Sequence, residues 1–566
     1  MIIIRFIFCI LFTFFVLIFS LILFKPILFS SASLLTSNLK IFNFILEDIN
    51  LWHNFKIIYV IFLIFDSIII SNILYSKFLY KLFTPNKIEN NKNFSNELSL
   101  LIGKNQDNRL IYIPEKSLYQ NMLITGGIGT GKTASAMYPF TKQLIKYQCN
   151  NFHEKLGFLI LDVKGNYYSK VKEFAKECNR LEDIIVIELD GEYTYNPLDK
   201  PHLKSSILAN RIKTILLLFS PNNSESYWLD KSEQVIENFI TFCRMYNDNY
   251  VTFEEIHKLV TDKEYYFKRL HDVRNVFLSG KLSDSNLYDL LSCIRFIEKD
   301  FYSLDDRTFN ILKSEITRIT NCFVSDYEVL KTFCPSKKEE NFYGFEDTIE
   351  NGKIVVLNLN IGKYKNLSKI IAAYLKLDFQ TDVISQLSSV VKRPMVFISD
   401  EYQEYVTSSD ADFFAQSREA KCINIVATQS YTSLLHTLNN QYSVKVIVQN
   451  LVNKLWFRTD DIFTIEDAQK QIGKEDKEKS SRTISENSKE SNYNYLVKRF
   501  SSIDSNLSES INTYFQFDYS YDYNFFTQEL EIFTCLSFLS DGNKIIKPQK
   551  INMIPYFIKE DFYEKN

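Results

Sequence analysis

The residues of the chain that suit chemistry best form a candidate phosphate-binding loop. Residues 126–133 match the pattern G-x-x-x-x-G-K-T and follow an apolar run at 122–124. Repeated glycines let backbone N–H groups converge on an anion, and the positive end of the next helix adds to the attraction. A glycine-rich turn that matches by chance is the alternative, which the apolar run before the loop and the helical pattern after it disfavour. We therefore predict a P-loop that binds ATP through Gly126, Gly127, Ile128, Gly129, Thr130, Gly131, Lys132 and Thr133, with Lys132 as a catalytic residue at the outer phosphates.

Two adjacent carboxylates extend this site. Asp400 and Glu401 follow the apolar stretch 394–399. We predict that Asp400 holds Mg²⁺ together with Thr133, and that Glu401 polarises the water that attacks the γ-phosphate. Gln429 follows another apolar strand, 422–427, and is predicted to sense the γ-phosphate. An acidic strand end that caps the next helix is the structural alternative for the two carboxylates.

The elements around these residues alternate between strand and helix patterns. A continuous apolar run at 157–161 and largely apolar stretches at 184–189, 352–359 and 394–399 are typical of parallel strands that are buried on both faces. This alternation predicts an α/β fold with ligands at the carboxyl ends of the strands, over residues 77–202 and 341–566. Between them, residues 203–340 show long helical patterns and are predicted to form an all-α insertion. Residues 473–494 are rich in Ser, Lys and Glu, which predicts a mobile surface loop.

Two apolar runs near the start of the chain have the length of membrane spans. Residues 6–24 and about 57–75 are flanked by basic residues, so residues 1–76 are predicted to be a membrane anchor with two transmembrane helices. A cleaved signal peptide is the alternative for the first run, and a buried helix is the alternative for the second, which contains Asp66. Two spans place both termini and the body on one side, and lysines after the second run favour the cytoplasm.

Composition excludes some classes of protein. The nine cysteines include no C-x-x-C pair, which argues against a disulfide framework and a thiolate zinc site. The formal net charge is −3, with a pI of about 6.2. There is thus no global attraction to nucleic acid, and any contact with DNA must come from a local patch.

Taken together, these motifs resemble the TraG/TraD family of type IV secretion coupling proteins. Residues 161–165, L-D-V-K-G, are similar to the D-P-K-G element of the family, with Val163 in place of proline. Asn196-Pro-Leu198, Tyr227-Trp-Leu229, Ser399-Asp-Glu401, Ser417-Arg-Glu419 and Ile425–Gln429 follow in the order of the family. The resemblance covers nearly the whole chain.

The resemblance implies a RecA-like motor domain that carries the all-α domain between its two nucleotide-site motifs. It also implies a homo-hexamer with a central channel, and it assigns an arginine-finger or sensor role to Arg418, with Arg458 as a second candidate. The expected function is that of an inner-membrane, multi-pass ATPase. It would recruit and move single-stranded DNA, with its relaxase, into a conjugation channel of other type IV secretion components. The alternatives are a coupling protein that delivers effector proteins without DNA, and a nucleotide-gated membrane receptor or scaffold.

Overall fold

The computed structural model describes two separate units of the chain. The units are residues 1–93 and 94–566. Described within them are residues 49–74, 97–162, 164–219, 226–278, 283–364, 366–389, 392–487, 493–494, 499–500 and 506–558.

The described residues of the first unit form one helix, α1, Ile49–Leu74. The second predicted membrane span, 57–75, overlaps this helix, and the first, 6–24, lies outside the described residues. Among the residues that the structure describes, no helix is long and apolar enough to cross a membrane. The predicted span at 6–24 therefore stays a prediction.

The second unit is built on a sheet of 11 strands. Their order is β2-β1-β15-β14-β9-β3-β8-β7-β4-β6-β5. Neighbours from β9 to β5 pair in parallel, and those from β2 to β9 pair antiparallel. The strands are β1 Ser99–Asn105, β2 Leu110–Pro114, β3 Met122–Thr125, β4 Gly157–Leu161, β5 Ile184–Ile187, β6 Ile354–Leu357, β7 Met395–Ser399, β8 Cys422–Thr428, β9 Asn453–Phe457, β14 Thr534–Phe538 and β15 Gln549–Met553. The predicted α/β fold with parallel strands is thus confirmed, with an antiparallel extension at one edge.

Alternate residues of the central strands pack into different hydrophobic clusters. Leu123 and Leu159 belong to one cluster, and Ile124 and Phe158 belong to another. Because successive side chains of a strand point to opposite faces, both faces of the sheet are covered. This double burial explains why the strands appear in the sequence as unbroken apolar runs.

Helices cover the sheet and fill the region that was predicted to be an all-α insertion. Those before it are α2 Glu115–Leu118, α3 Tyr138–Lys146 and α4 Tyr167–Glu177. Those within it are α5 Ser205–Leu217, α6 Ser226–Tyr246, α7 Phe253–Thr261, α8 Lys263–Leu278, α9 Asp284–Arg295, α10 Asp306–Val324 and α11 Tyr327–Phe333. Those after it are α12 Glu346–Asn351, α13 Ile361–Tyr364, α14 Asn366–Ser385, α15 Asp410–Gln416, α16 Tyr431–Leu438, α17 Gln441–Asn450 and α18 Ile462–Ile472.

Side-chain caps explain where several helices of the insertion begin. Thr252, Ser283, Asp305 and Asp326 each accept a hydrogen bond from a backbone N–H in the first turn of α7, α9, α10 and α11. The buried side chains of these helices are continuous with one face of the sheet. The insertion therefore shares a core with the sheet.

Most of the described residues in the predicted surface loop at 473–494 lie in a long two-stranded ribbon. Strand β10, Lys474–Asn487, pairs with β13, Asn506–Tyr519, and the short strands β11, Tyr493–Asn494, and β12, Arg499–Phe500, pair with each other. The loop prediction was wrong because it considered only the polar strand. Its partner supplies the aromatic and β-branched residues, among them Ile511, Phe515 and Phe517.

Candidate nucleotide-binding and hydrolysis site

The P-loop begins where β3 ends, at the carboxyl edge of the parallel strands. Thr125 pairs with Thr428 of β8 and with Trp456 of β9. The N–H of Gly126 donates to Gln429 O at 3.2 Å, and the N–H of Gly127 donates to Arg458 O at 2.8 Å. These two N–H groups therefore anchor the loop to the neighbouring strands, and the phosphate contacts fall to later residues.

The later part of the loop has the backbone that an anion cradle needs. Gly129 and Gly131 have φ values of 76° and 94°, in the left-handed region that favours glycine. A Cβ on Gly129 would meet no atom within 4 Å, so space lies open beside the loop. After Lys132, a π-helical turn at Thr133–Met137 leads into α3.

Lys132 lies on the loop itself. Its ammonium donates to the carbonyl oxygens of Gly126 and Gly127, the latter at 3.1 Å. Burial lowers the pKa of Lys132, and the negative charges of Glu401 and Asp400 partly offset this effect. A phosphate would supply a stronger partner than two carbonyl oxygens, so the position fits the predicted role.

Thr133 and Asp400, the two predicted Mg²⁺ ligands, lie together. Thr133 Oγ1 donates to Asp400 Oδ2 at 2.9 Å, although 267 residues separate them. Asp400 is almost completely buried, and burial raises the pKa of its carboxyl group, against the positive charge of Lys164. A hydroxyl and a carboxylate are oxygen ligands of the kind that Mg²⁺ prefers, so both residues fit the ion.

Glu401 is held by three side-chain donors in an unusual backbone conformation. Its φ is 52°, in the left-handed region. Gln403 and Gln429 donate to Oε2 at 2.7 and 3.1 Å, and Lys164 donates to Oε1 at 3.0 Å. Burial alone would raise the pKa of Glu401, but these hydrogen bonds and the charge of Lys164 outweigh it and hold the pKa below its ordinary value. Glu401 is therefore an ionised carboxylate near neutral pH.

Two of these donors were not among the predicted site residues. Lys164 lies in the L-D-V-K-G stretch, where Asp162 accepts backbone hydrogen bonds from residues 164, 166 and 167 and so shapes the turn before α4. The similarity of this stretch to the family element was the signal that could have identified Lys164. Gln403 carries no such signal, because a single glutamine after a strand is common.

The segment after Glu401 is fastened to α14 by a buried ion pair. Lys376 Nζ lies 2.7 Å from Asp410 Oδ2, and both side chains are fully buried. The same ammonium donates to Tyr405 O at 2.8 Å, and Tyr402 OH donates to the Asp410 carboxylate. The position of Glu401 is thus tied to the core through α14.

The two candidate arginines lie at opposite ends of the parallel strands. Arg418 is exposed and precedes β8 at its amino end, beyond the end of α15. With about 3.3 Å per residue, β8 spans roughly 23 Å between Cys422 and Gln429, and Arg418 lies in the turn at the end opposite to Gln429. Arg458 follows β9 directly and contacts the loop through its carbonyl group. Arg418 therefore lies at the amino end of β8, whereas the P-loop lies at the carboxyl ends of the parallel strands, and its predicted finger or sensor role stays a prediction.

One known protein family matches part of the chain. The sequence profile of the family described as "TraM recognition site of TraD and TraG" matches residues 394–507. The resemblance to TraG/TraD-type coupling proteins is thereby confirmed. The matched segment begins just before β7 and includes Asp400, Glu401 and Gln429.

Solved structures of a bacterial conjugative coupling protein, TrwB, have a fold similar to that of this chain. TrwBdeltaN70 in its unbound form matches with a TM-score of 0.52 at 11% identity, over 81% of this chain and 90% of that chain. TrwB with the non-hydrolysable GTP analogue GDPNP matches with a TM-score of 0.51 at 11% identity, over 81% of this chain and 91% of that chain. TrwB with ADP and Mg²⁺ matches with a TM-score of 0.50 at 12% identity, over 79% of this chain and 88% of that chain. No curated protein sequence matches the chain.

Proposed function

We propose that the chain is an ATPase coupling protein of a type IV secretion or conjugation system. It would couple ATP hydrolysis to the recruitment and translocation of single-stranded DNA with its relaxase. The main support is that Thr133 lies with Asp400, and Gln429 with Glu401, at the edge of the sheet where the P-loop begins. The family match over 394–507 connects this arrangement with coupling proteins.

Each residue has a distinct part in the proposed reaction. Lys132 would bind the β- and γ-phosphates. Thr133 and Asp400 would hold Mg²⁺, and the bound ion would supply positive charge to the phosphates. Glu401 orients and polarises the attacking water, since its lowered pKa keeps the carboxylate ionised. Gln429 touches the same carboxylate and senses the state of the γ-phosphate.

The partners and the location belong to the same proposal. The subunits would form a homo-hexamer and contact other type IV secretion components. The chain would lie at the cell inner membrane with both termini and the ATPase body in the cytoplasm. The apolar run at 6–24 supports the membrane location. Extraction of membrane fractions with alkaline carbonate tests this location, and release of the full chain into the soluble fraction would contradict it.

A steady-state ATPase assay with and without single-stranded DNA tests the proposed activity. We expect turnover that DNA stimulates, and its loss in Lys132→Ala and Glu401→Gln, whereas the exposed Lys176→Ala serves as a control. Turnover without stimulation would favour the delivery of effector proteins. Absence of turnover in the wild type would favour a nucleotide-gated receptor or scaffold. Wild-type turnover by Lys132→Ala would contradict the proposed site.

A further inference from the structure

The C-terminal part of the chain lies directly against the P-loop. Phe533 N donates to Thr130 O at 3.1 Å, and Tyr556 N donates to Ala134 O at 2.9 Å. A ring carbon of Phe533 lies 2.4 Å from the position that a Cβ on Gly131 would take. The ring thus rests on the loop backbone, in space that only glycine leaves open.

Phe533 has a backbone conformation that bulky residues rarely adopt. Its φ is 63°, and its carbonyl oxygen accepts a hydrogen bond from Met553 N at 2.8 Å. Strained conformations of this kind persist only where the surroundings impose them, and they cluster at ligand sites. None of the functions proposed above uses this residue.

A second aromatic side chain extends this surface. The ring centroids of Phe533 and Phe557 lie 5.9 Å apart, with an interplanar angle of 70°. The side chain of Phe557 is 58% exposed, and Phe533 is partly exposed. The pair therefore presents an apolar, solvent-facing surface beside the loop.

The order of the strands places this pair opposite the hydrolytic residues. Phe533 precedes β14 and Phe557 follows β15, both on one side of β3, whereas β8 and β7 lie on the other side. Because β14 runs antiparallel to β9 and β15 antiparallel to β14, both aromatic residues lie at the edge that carries the P-loop. With about 4.8 Å between strands, Phe533 and Glu401 are each displaced roughly 10 Å from the loop strand, in opposite directions.

We propose that Phe533 and Phe557 form the nucleobase platform of the nucleotide site, on which a purine base stacks. A nucleoside triphosphate whose γ-phosphate faces Glu401 extends its nucleoside across the loop to the other side, where this pair lies. Stacking uses the ring face that every base has, so it binds the base without reading its edge. The proposal rests on the proposed function, because Glu401 defines which end holds the γ-phosphate.

The test compares the binding of ATP with that of inorganic tripolyphosphate, which has no base. Calorimetric titration of the full chain with Mg²⁺ is carried out for Phe533→Ala, Phe557→Ala and the control Phe277→Ala, which alters an exposed phenylalanine on α8. We expect Phe533→Ala and Phe557→Ala each to weaken the binding of ATP and GTP by about tenfold and to leave the affinity for tripolyphosphate unchanged. Phe557→Tyr, which keeps a ring, should bind ATP as the wild type does.

An equal loss of affinity for ATP and tripolyphosphate would overturn the proposal, because the ring would then only support the loop. Unchanged affinity for ATP in both alanine variants would overturn it as well. The measurement concerns binding alone. A wild type that binds ATP but does not hydrolyse it would therefore contradict the proposed function and leave the platform to be decided by the titrations.

Discussion

Lys164 forms an ion pair with Glu401, with 3.0 Å between Nζ and Oε1, although 237 residues separate them in the chain. Partial burial acts to lower the pKa of Lys164, but the hydrogen bond and the charge of Glu401 outweigh it and raise the pKa. The turn before α4 therefore positions the carboxylate that follows β7. This contact connects two adjacent strands at the edge where hydrolysis is proposed.

Replacing Lys164 should impair the chemical step more than nucleotide binding. Lys164→Met removes one of three donors that orient Glu401, so we expect kcat to fall about tenfold while KM for ATP changes little. Steady-state kinetics measures both constants, and Lys176→Met on α4 is the matched control. A rise in KM with unchanged kcat would indicate that Lys164 binds the nucleotide directly and would refute the positioning role.

Much of this site could be predicted from the sequence, because its motifs are local. The P-loop, Asp400 and Glu401 each follow an apolar strand, and parallel strands bring their carboxyl ends to one edge. The family element could have identified Lys164 as a site residue. Its contact with Glu401, and the contact of Phe533 with the P-loop, could not be predicted, because both depend on strand order. That order is set by long-range pairing, which a single sequence does not reveal.

The β10–β13 ribbon illustrates the same limit. Its first strand is polar and, taken alone, has the composition of a loop, whereas its partner lies beyond residue 505. Arg418 is a different case. Helix α15 ends at Gln416, so Arg418 lies in the turn before β8, at the amino end of that strand.

Asp400→Asn should separate metal binding from folding. Because burial raises the pKa of Asp400, the ionised carboxylate costs folding free energy at neutral pH, and this cost disappears as pH falls through the raised pKa. Without Mg²⁺, we expect the asparagine variant to unfold at the same temperature as the wild type or higher.

With Mg²⁺ and ATP at about 100 times Kd, the free energy of unfolding of the wild type should rise by roughly 2.7 kcal/mol. That of the variant should rise much less. Thermal unfolding with and without Mg²⁺ measures both effects. Equal stabilisation of the two proteins by Mg²⁺ and ATP would show that Asp400 is not a ligand of the ion.

Lys454→Met should stabilise the protein in a pH-dependent manner. Burial lowers the pKa of Lys454 to about 8, and its ammonium donates to Leu451 O at 2.8 Å. The unfolded chain therefore binds this proton more tightly than the folded chain does. As a result, the free energy of unfolding of the wild type increases as pH rises from about 8 to the ordinary lysine pKa of about 10.5.

At pH 7 we expect the free energy of unfolding of the methionine variant to exceed that of the wild type by about 1–3 kcal/mol, since the variant lacks the buried charge. The difference should shrink as pH approaches about 10. Denaturant unfolding at several pH values measures it, with the exposed Lys445→Met as the control. A difference that does not depend on pH would mean that packing, and not charge, distinguishes the two proteins.

Arg418 and Arg458 should behave differently in assemblies that contain two variants of the chain. Arg418 lies at the edge of the sheet away from its own P-loop, so an arginine-finger role requires the loop of a neighbouring subunit. Arg458 lies beside its own loop, with its carbonyl oxygen 2.8 Å from Gly127 N. If Arg418 is the finger, Arg418→Ala should lower kcat by about 10³-fold.

Mixing two inactive variants distinguishes the two arrangements. Arg418→Ala keeps an intact P-loop and Lys132→Ala keeps an intact Arg418, so an assembly of both contains interfaces with both groups, and ATPase activity should return. If Arg458→Ala is inactive by itself, its mixture with Lys132→Ala should also stay inactive, because an Arg458 that acts within its own subunit meets only the altered loop of the Lys132→Ala subunit. Return of activity in the second mixture and not in the first would assign the finger to Arg458 across the interface.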